Sequence, residues 1–132
     1  MLFRSQDEKL VVASFYRIDL GDEFVDHHSL LITREGRGTS IHHSSFEVED
    51  FDTQLLGHYW LQQQGHKALW GVGRHVHGSQ LFDYWRDNSK HILEHYADGD
   101  MVNCHTPVTH AKAGNFAIWG PGVPNFAAED SD

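Results

Sequence analysis

The sequence predicts an α+β domain, and three observations predict it. Six segments read as β-strands, being short apolar runs or period-2 alternations bounded by turn residues. One segment, residues 49–65, switches to the helical period and falls between the third and fourth of them. At 132 residues, 39% of them hydrophobic and 12% aromatic, the chain can fill one core but not two. The resulting order is β-β followed by β-α-β-β-β.

Each element rests on its own residues. "LVVASFYRI" (10–18) is apolar, β-branched and aromatic, which favours an extended strand. "LGDEF" supplies a turn and "DHHSLLIT" (26–33) a second strand, so the two form a hairpin; "REGRG" (34–38) is a polar, glycine-bearing turn. "TSIHHSSFEV" (39–48) is the third strand. Its alternation puts His43, Ser45 and Glu47 on one face and His42, Ser44, Phe46 and Val48 on the other. In the helical segment Phe51, Leu55, Leu56, Tyr59 and Trp60 mark an apolar face, Asp50 or Asp52 is the N-cap and Gly65 the stop. "KALWGV" (67–72), "SQLFDYWR" (79–86) and "HILEHYA" (91–97) are the last three strands. Trp60, Trp70 and Trp85 lie within regular elements and are expected in the core. From Met101 the chain holds all three prolines and no clear periodicity, and is expected to be a tail packed on the domain and ending in the acidic "EDSD".

Composition narrows the function. Nineteen acidic against 10 basic residues give a formal charge of −9, a field that repels phosphate backbones, so nucleic acid is not an expected partner. No apolar run reaches the length of a membrane span, and the opening "MLFRSQDEKL" lacks the apolar core of an export signal. One cysteine, Cys104, excludes an internal disulfide and fits a reducing compartment, so a cytoplasmic protein without a membrane partner is expected. His105 stands beside Cys104, but sequence neighbours seldom form a working nucleophile–base pair. No phosphate-binding glycine loop or dinucleotide fingerprint is present.

Histidine is the unusual residue, at 12 of 132. It is both the commonest metal ligand and the side chain that titrates near neutral pH. "HVH" (75–77) puts two histidines on one strand face, but the glutamate that would complete such a metal motif is missing from "GSQLFD". Glu94 sits inside the apolar "HILEHY", and a carboxylate on a core strand is costly unless it is paired or binds a cation. Ile92, Glu94 and Tyr96 share one side and Leu93 and His95 the other. On pattern alone the plainer reading, that Glu94 faces solvent, comes first.

A resemblance changes that balance. "IHHSSFEVED", "GRHVHGSQLFDYWRD" and "EHYADGD", in this order, resemble the C-terminal module of type I extradiol ring-cleaving dioxygenases of the vicinal oxygen chelate superfamily. Tyr84 follows His75 by nine residues and Glu94 follows Tyr84 by ten, as in that family, and "DHHSLLIT" is similar to a further segment of it. The resemblance covers residues 10 to 100. It implies a complete βαβββ module over 39–100, the later strands of a preceding module over 1–38, and a tail over 101–132.

It further implies the site. His43 and Glu94 would be ligands of a non-haem Fe(II). His28 would assist proton transfer beside oxygen, and His75 and Tyr84 would hydrogen-bond the hydroxyls of a catechol-type aromatic substrate. Molecular oxygen would be the co-substrate, and a homodimer would cover the exposed strand edges. The strand that carries the family's first histidine ligand has no counterpart here, which implies a chain shortened at its N-terminus. Asn88-Ser89-Lys90 also replaces the family's Pro-Ser-Gly turn. His105 or His110, from this chain or a partner, are the expected substitutes for the missing ligand. Two alternatives follow from the gap: a metal-independent isomerase or cyclase acting on an aromatic or polyketide-like molecule, or a ligand-binding module without activity.

Overall fold

The computed structural model describes residues 2–4, 11–34 and 38–127. In chain order its elements are β1 (Leu2–Arg4), β2 (Val11–Tyr16), β3 (Val25–Asp26), β4 (Leu30–Thr33), β5 (His43–Glu47) and α1 (Phe51–Gln63). They continue with β6 (Trp70–His75), β7 (Leu81–Arg86), β8 (Ile92–Ala97), β9 (Met101–Val102), β10 (His110–Lys112) and β11 (Ala117–Trp119). The α+β class and the β-α-β-β-β order are as the sequence predicts. The central residues of the 34–38 turn, the start of the first strand and the acidic "EDSD" lie outside the described residues.

The chain divides into two compact units, Met1–Thr39 with Gly99–Asn115, and Ser40–Asp98 with Phe116–Asp132. In the first, the strand order is β10-β1-β2-β4, with β1 and β10 parallel and the other pairs antiparallel. A separate ladder joins β3 to β9, setting Val25 opposite Val102 and Asp26 opposite Met101. Thus "DHHSLLIT" is not one strand. Its first residue belongs to β3 and only Leu30–Thr33 pairs with β2.

The second unit holds one five-stranded sheet, ordered β11-β6-β7-β8-β5. β5 and β8 run parallel, which α1 and the intervening hairpin allow, and the other pairs are antiparallel. The Asp50 carboxylate caps α1 by accepting from the Thr53 amide at 2.7 Å, and Gly65 ends the turn at φ +87°.

The helix corrects the sequence reading in its orientation. Its buried residues are Gln54 and His58, whereas Leu56, Tyr59 and Trp60 face outward, Trp60 at 58% exposure. The reason lies in the sheet beneath. Asp83 on β7 is fully buried, and its carboxylate pairs with His58 Nδ1 at 2.8 Å and accepts from Trp85 Nε1 at 2.7 Å. Gln54 Nε2 donates to the His95 carbonyl at 2.8 Å. A buried carboxylate and an open strand carbonyl demand polar partners, and that demand outweighs the apolar periodicity of the helix. Trp70 and Trp85 are buried as expected; Trp60 is not.

Alternation along β7 then sends Phe82 and Tyr84 to the opposite face of the sheet. There Trp70, Phe82, Tyr84 and Ile92 make the core cluster, with Leu69, Ala117 and Phe126 packed against it. Gly73 lets these layers approach: a Cβ there would stand 2.4 Å from the Phe82 ring and 2.8 Å from the Trp119 carbonyl. The segment after Phe116 returns to this unit, where the Pro121 carbonyl accepts from Trp70 Nε1 at 2.9 Å and the Phe126 carbonyl from Arg86 at 2.8 Å. Beyond Met101 three short strands form where no periodicity was visible, each two or three residues long. Among the described residues no helix is long and apolar enough to cross a membrane.

Candidate functional site

Glu94 is the centre of the core face. Antiparallel pairing sets it opposite Tyr84 of β7, and parallel pairing sets it opposite Ser45 of β5. The side chain is 5% exposed, so the solvent-face reading of this carboxylate is overturned. What the alternation pattern could not show is that β5 lies beyond β8 as an edge strand, bringing His43 and Ser45 over the same face.

Both carboxylate oxygens are engaged. Ser45 Oγ donates to Oε2 at 2.5 Å, and His43 Nε2 lies 3.3 Å from that oxygen. His75 Nε2 lies 3.3 Å from Oε1 and 3.1 Å from Tyr84 Oη. Burial pushes the Glu94 carboxyl up. Hydrogen bonds from His43 and His75, the charge of His75 and the Ser45 hydroxyl outweigh it and hold the group well below the ordinary carboxylate range. The Tyr84 phenol is pushed well above its ordinary value of 10.0 by burial, then by the charge and hydrogen bonding of Glu94. It therefore stays a neutral O–H donor at physiological pH.

The two imidazoles are oriented differently. His75 Nδ1 meets the Phe116 carbonyl at 3.0 Å, which can only accept, so Nδ1 carries a proton. In neutral His75, Nε2 is then the acceptor for the Tyr84 hydroxyl; in protonated His75 it donates to Glu94. His43 Nδ1 is 2.7 Å from His42 Nδ1, so one of the two must donate to the other. When His42 donates, His43 Nε2–H is free to donate to Glu94 Oε2; when His43 donates, its Nε2 turns a lone pair toward that oxygen, an arrangement a cation between the two would relieve. Two ligand atoms at right angles on metal bonds of about 2.1 Å stand about 3.0 Å apart, close to the 3.3 Å found here. An imidazole and a buried carboxylate fit two positions of a His/carboxylate site for a divalent transition metal. Two aromatic rings stand beside them: Tyr84 meets His43 edge-on at a centroid distance of 5.1 Å, and Trp70 stacks on Tyr84 at 5.3 Å.

Of the residues singled out in the sequence, His43, His75, Tyr84 and Glu94 come together in this one unit. His28 lies in the other, half-buried, edge-on to Phe15 at 4.6 Å with its Nδ1 3.0 Å from that of His27. His105 is engaged by Asp22 at 2.7 Å. Sequence reasoning missed Ser45 as a partner of Glu94. Its signal was present, because Ser45 lies two residues after His43 and therefore on the same strand face.

The chain matches no protein-family model. It is 34% identical over 115 residues to metapyrocatechase 2 of Cupriavidus necator, a match that takes in 81% of this chain and 34% of that protein. The chain thus spans about a third of the length of the curated relative it matches. Among solved structures it is similar to BphC, a halotolerant catechol dioxygenase, with a TM-score of 0.70 at 21% identity over 90% of this chain and 37% of that one. A Mn(II)-bound glyoxalase from Novosphingobium aromaticivorans matches with a TM-score of 0.71 at 21% identity, over 84% of this chain and 40% of that one. These structural likenesses are likenesses of fold, shared by a dioxygenase and a glyoxalase. In sequence, the chain is homologous to about a third of metapyrocatechase 2, an extradiol dioxygenase.

Proposed function

We propose that this chain serves oxygen-dependent ring cleavage of a catechol-type aromatic molecule at a non-haem Fe(II) site, with His43 and Glu94 as its ligands from this unit. The observation that carries the reading is the burial of Glu94 with His43 Nε2 at 3.3 Å. Held by His43 and Glu94, Fe(II) would supply Lewis-acid and one-electron chemistry for a catechol and molecular oxygen. A facial set of this kind takes a third protein ligand besides these two.

The chain's own residues orient the substrate and move protons. Tyr84 donates a hydrogen bond to a substrate oxygen in place of the one it gives His75. His75 Nε2, 3.1 Å from Tyr84 Oη and 3.3 Å from Glu94, accepts a proton from the second substrate hydroxyl while Nδ1–H stays fixed on the Phe116 carbonyl. Ser45 keeps the Glu94 carboxylate aimed into the site. Trp70 and Tyr84, buried in the core cluster, close one side of the site to water. A homodimer fits the first unit, where Tyr16, Leu30 and Ile32 share one face of the β2–β4 pair and are exposed.

The test is oxygen uptake and formation of a ring-opened product from simple catechols by Fe(II)-loaded protein. Turnover that disappears in Glu94→Ala supports the proposal. Near wild-type turnover by Glu94→Ala, or conversion that survives complete metal removal, rejects it in favour of a redox-neutral isomerase or cyclase.

A further inference from the structure

The first unit contains a second set of metal-ligating side chains that the ring-cleavage site does not use. Asp22, Cys104 and His105 each present one ligand atom, and these atoms all lie within 4.8 Å of one another. Asp22 Oδ1 is the shared vertex, 2.7 Å from His105 Nε2 and 3.4 Å from Cys104 Sγ. We infer that Asp22, Cys104 and His105 bind a divalent ion of borderline softness, of the Zn(II) class, with solvent water completing the tetrahedron.

The donor set selects the ion. A thiolate disfavours the hard cations Mg(II) and Ca(II), whereas thiolate, imidazole and carboxylate together are the ligands of zinc. Tetrahedral ligands on bonds of about 2.0–2.3 Å are about 3.3–3.8 Å apart. The Sγ–Oδ1 separation of 3.4 Å already meets this, and the His105–Asp22 contact of 2.7 Å needs to open by only a fraction of an ångström. All three side chains are exposed, so the ion reaches them from solvent and keeps a water ligand.

The two contributing turns are remote in sequence but tied together. The Cys104 amide donates to the Gly21 carbonyl at 3.0 Å. The buried Asn103 side chain donates to the Asp22 carbonyl at 3.1 Å and accepts from the His105 amide at 3.0 Å. The β3–β9 ladder runs alongside, with Val25 opposite Val102. The ligands are thus set on a cross-linked frame before any ion arrives, which lowers the ordering cost of binding. A plain surface His–Asp hydrogen bond would not require the thiol at the same vertex.

Because Cys104 is the only cysteine, any thiolate–metal signal from the chain must come from it. The test is a Co(II) titration of the full chain under reducing, anaerobic conditions, following the near-ultraviolet thiolate-to-cobalt charge-transfer band. We expect the band, titrated in a Glu94→Gln background so that the His43/Glu94 site does not compete, to saturate at one Co(II) per chain, to be displaced by Zn(II), and to vanish in Cys104→Ser. Apparent affinity should fall tenfold or more in both Asp22→Asn and His105→Ala. No band, a band of unaltered affinity in Asp22→Asn and His105→Ala, or saturation at half an equivalent from thiolates of two chains sharing an ion, would overturn the inference.

Discussion

Asp83 separates what holds the site up from what acts in it. It sits on the helix side of β7, one residue from Tyr84 and on the opposite face. Replacing it with alanine leaves two buried donors, His58 N–H and Trp85 Nε1–H, without the carboxylate that holds them at 2.8 and 2.7 Å. Each unsatisfied buried donor costs about 1–3 kcal/mol, or about 2–6 kcal/mol together. Removing a buried carboxylate returns part of that, leaving a net loss of about 2–4 kcal/mol. Asparagine should behave differently. Its carbonyl still accepts from Trp85, and its amide donates to His58 Nδ1 once that ring moves its proton to Nε2, so Asp83→Asn should cost about 1 kcal/mol or less. Urea denaturation at neutral pH with an unchanged slope measures both.

The comparison also has a predicted pH dependence. Burial is the largest influence on Asp83 and raises its carboxyl above 3.8, against the pull of hydrogen bonds from Trp85 and His58 and the charges of His58 and His95. Between its unfolded and its raised folded pKa the native state binds more protons, so wild-type stability from this group falls as pH rises through that window. Wild type should therefore gain on Asp83→Asn as pH is lowered from neutral toward about 4. An alanine variant within 0.5 kcal/mol of wild type at neutral pH, or an asparagine variant as damaged as alanine, would refute the reasoning; both thresholds lie outside the expected roughly 2–4 and 1 kcal/mol.

Other predictions follow from packing. Trp85→Ala should cost about 3–5 kcal/mol in the same assay, whereas Trp60→Ala, on the outward helix face, should stay within about 0.5 kcal/mol of wild type. Gly73→Ala must displace the Phe82 ring or the Trp119 carbonyl, so it should destabilise by about 1–3 kcal/mol and shift near-ultraviolet circular dichroism. Tyr84→Phe keeps the ring but removes the hydroxyl beside His75, and should weaken binding of a catechol about tenfold, read by calorimetry with fold retained.

The legibility of the molecule differs from part to part. β5, α1, β6, β7 and β8 could be read from the sequence because each carries enough consecutive residues for its period to show. β9, β10 and β11 could not: two or three residues hold no period, and their pairing is decided by partners far along the chain. The helix orientation failed for another reason. Leu56, Tyr59 and Trp60 look like a core face until Asp83, more than twenty residues on, is seen to require His58 beneath the helix. Glu94 was ambiguous by alternation alone, and its position in the chain became informative only through the family spacing. The convergence of Asp22 with Cys104 and His105 had no sequence signal at all, since the two turns are some eighty residues apart.

The central claim is that His43 and Glu94 hold a metal. The measurement is the iron content per chain after anaerobic Fe(II) loading and desalting, made in a Cys104→Ser background so that no thiolate contributes. The account predicts iron approaching one per chain, lost in Glu94→Ala and in His43→Ala while both variants keep their fold. No retained iron in the folded parent, or equal iron in all three proteins, would contradict it.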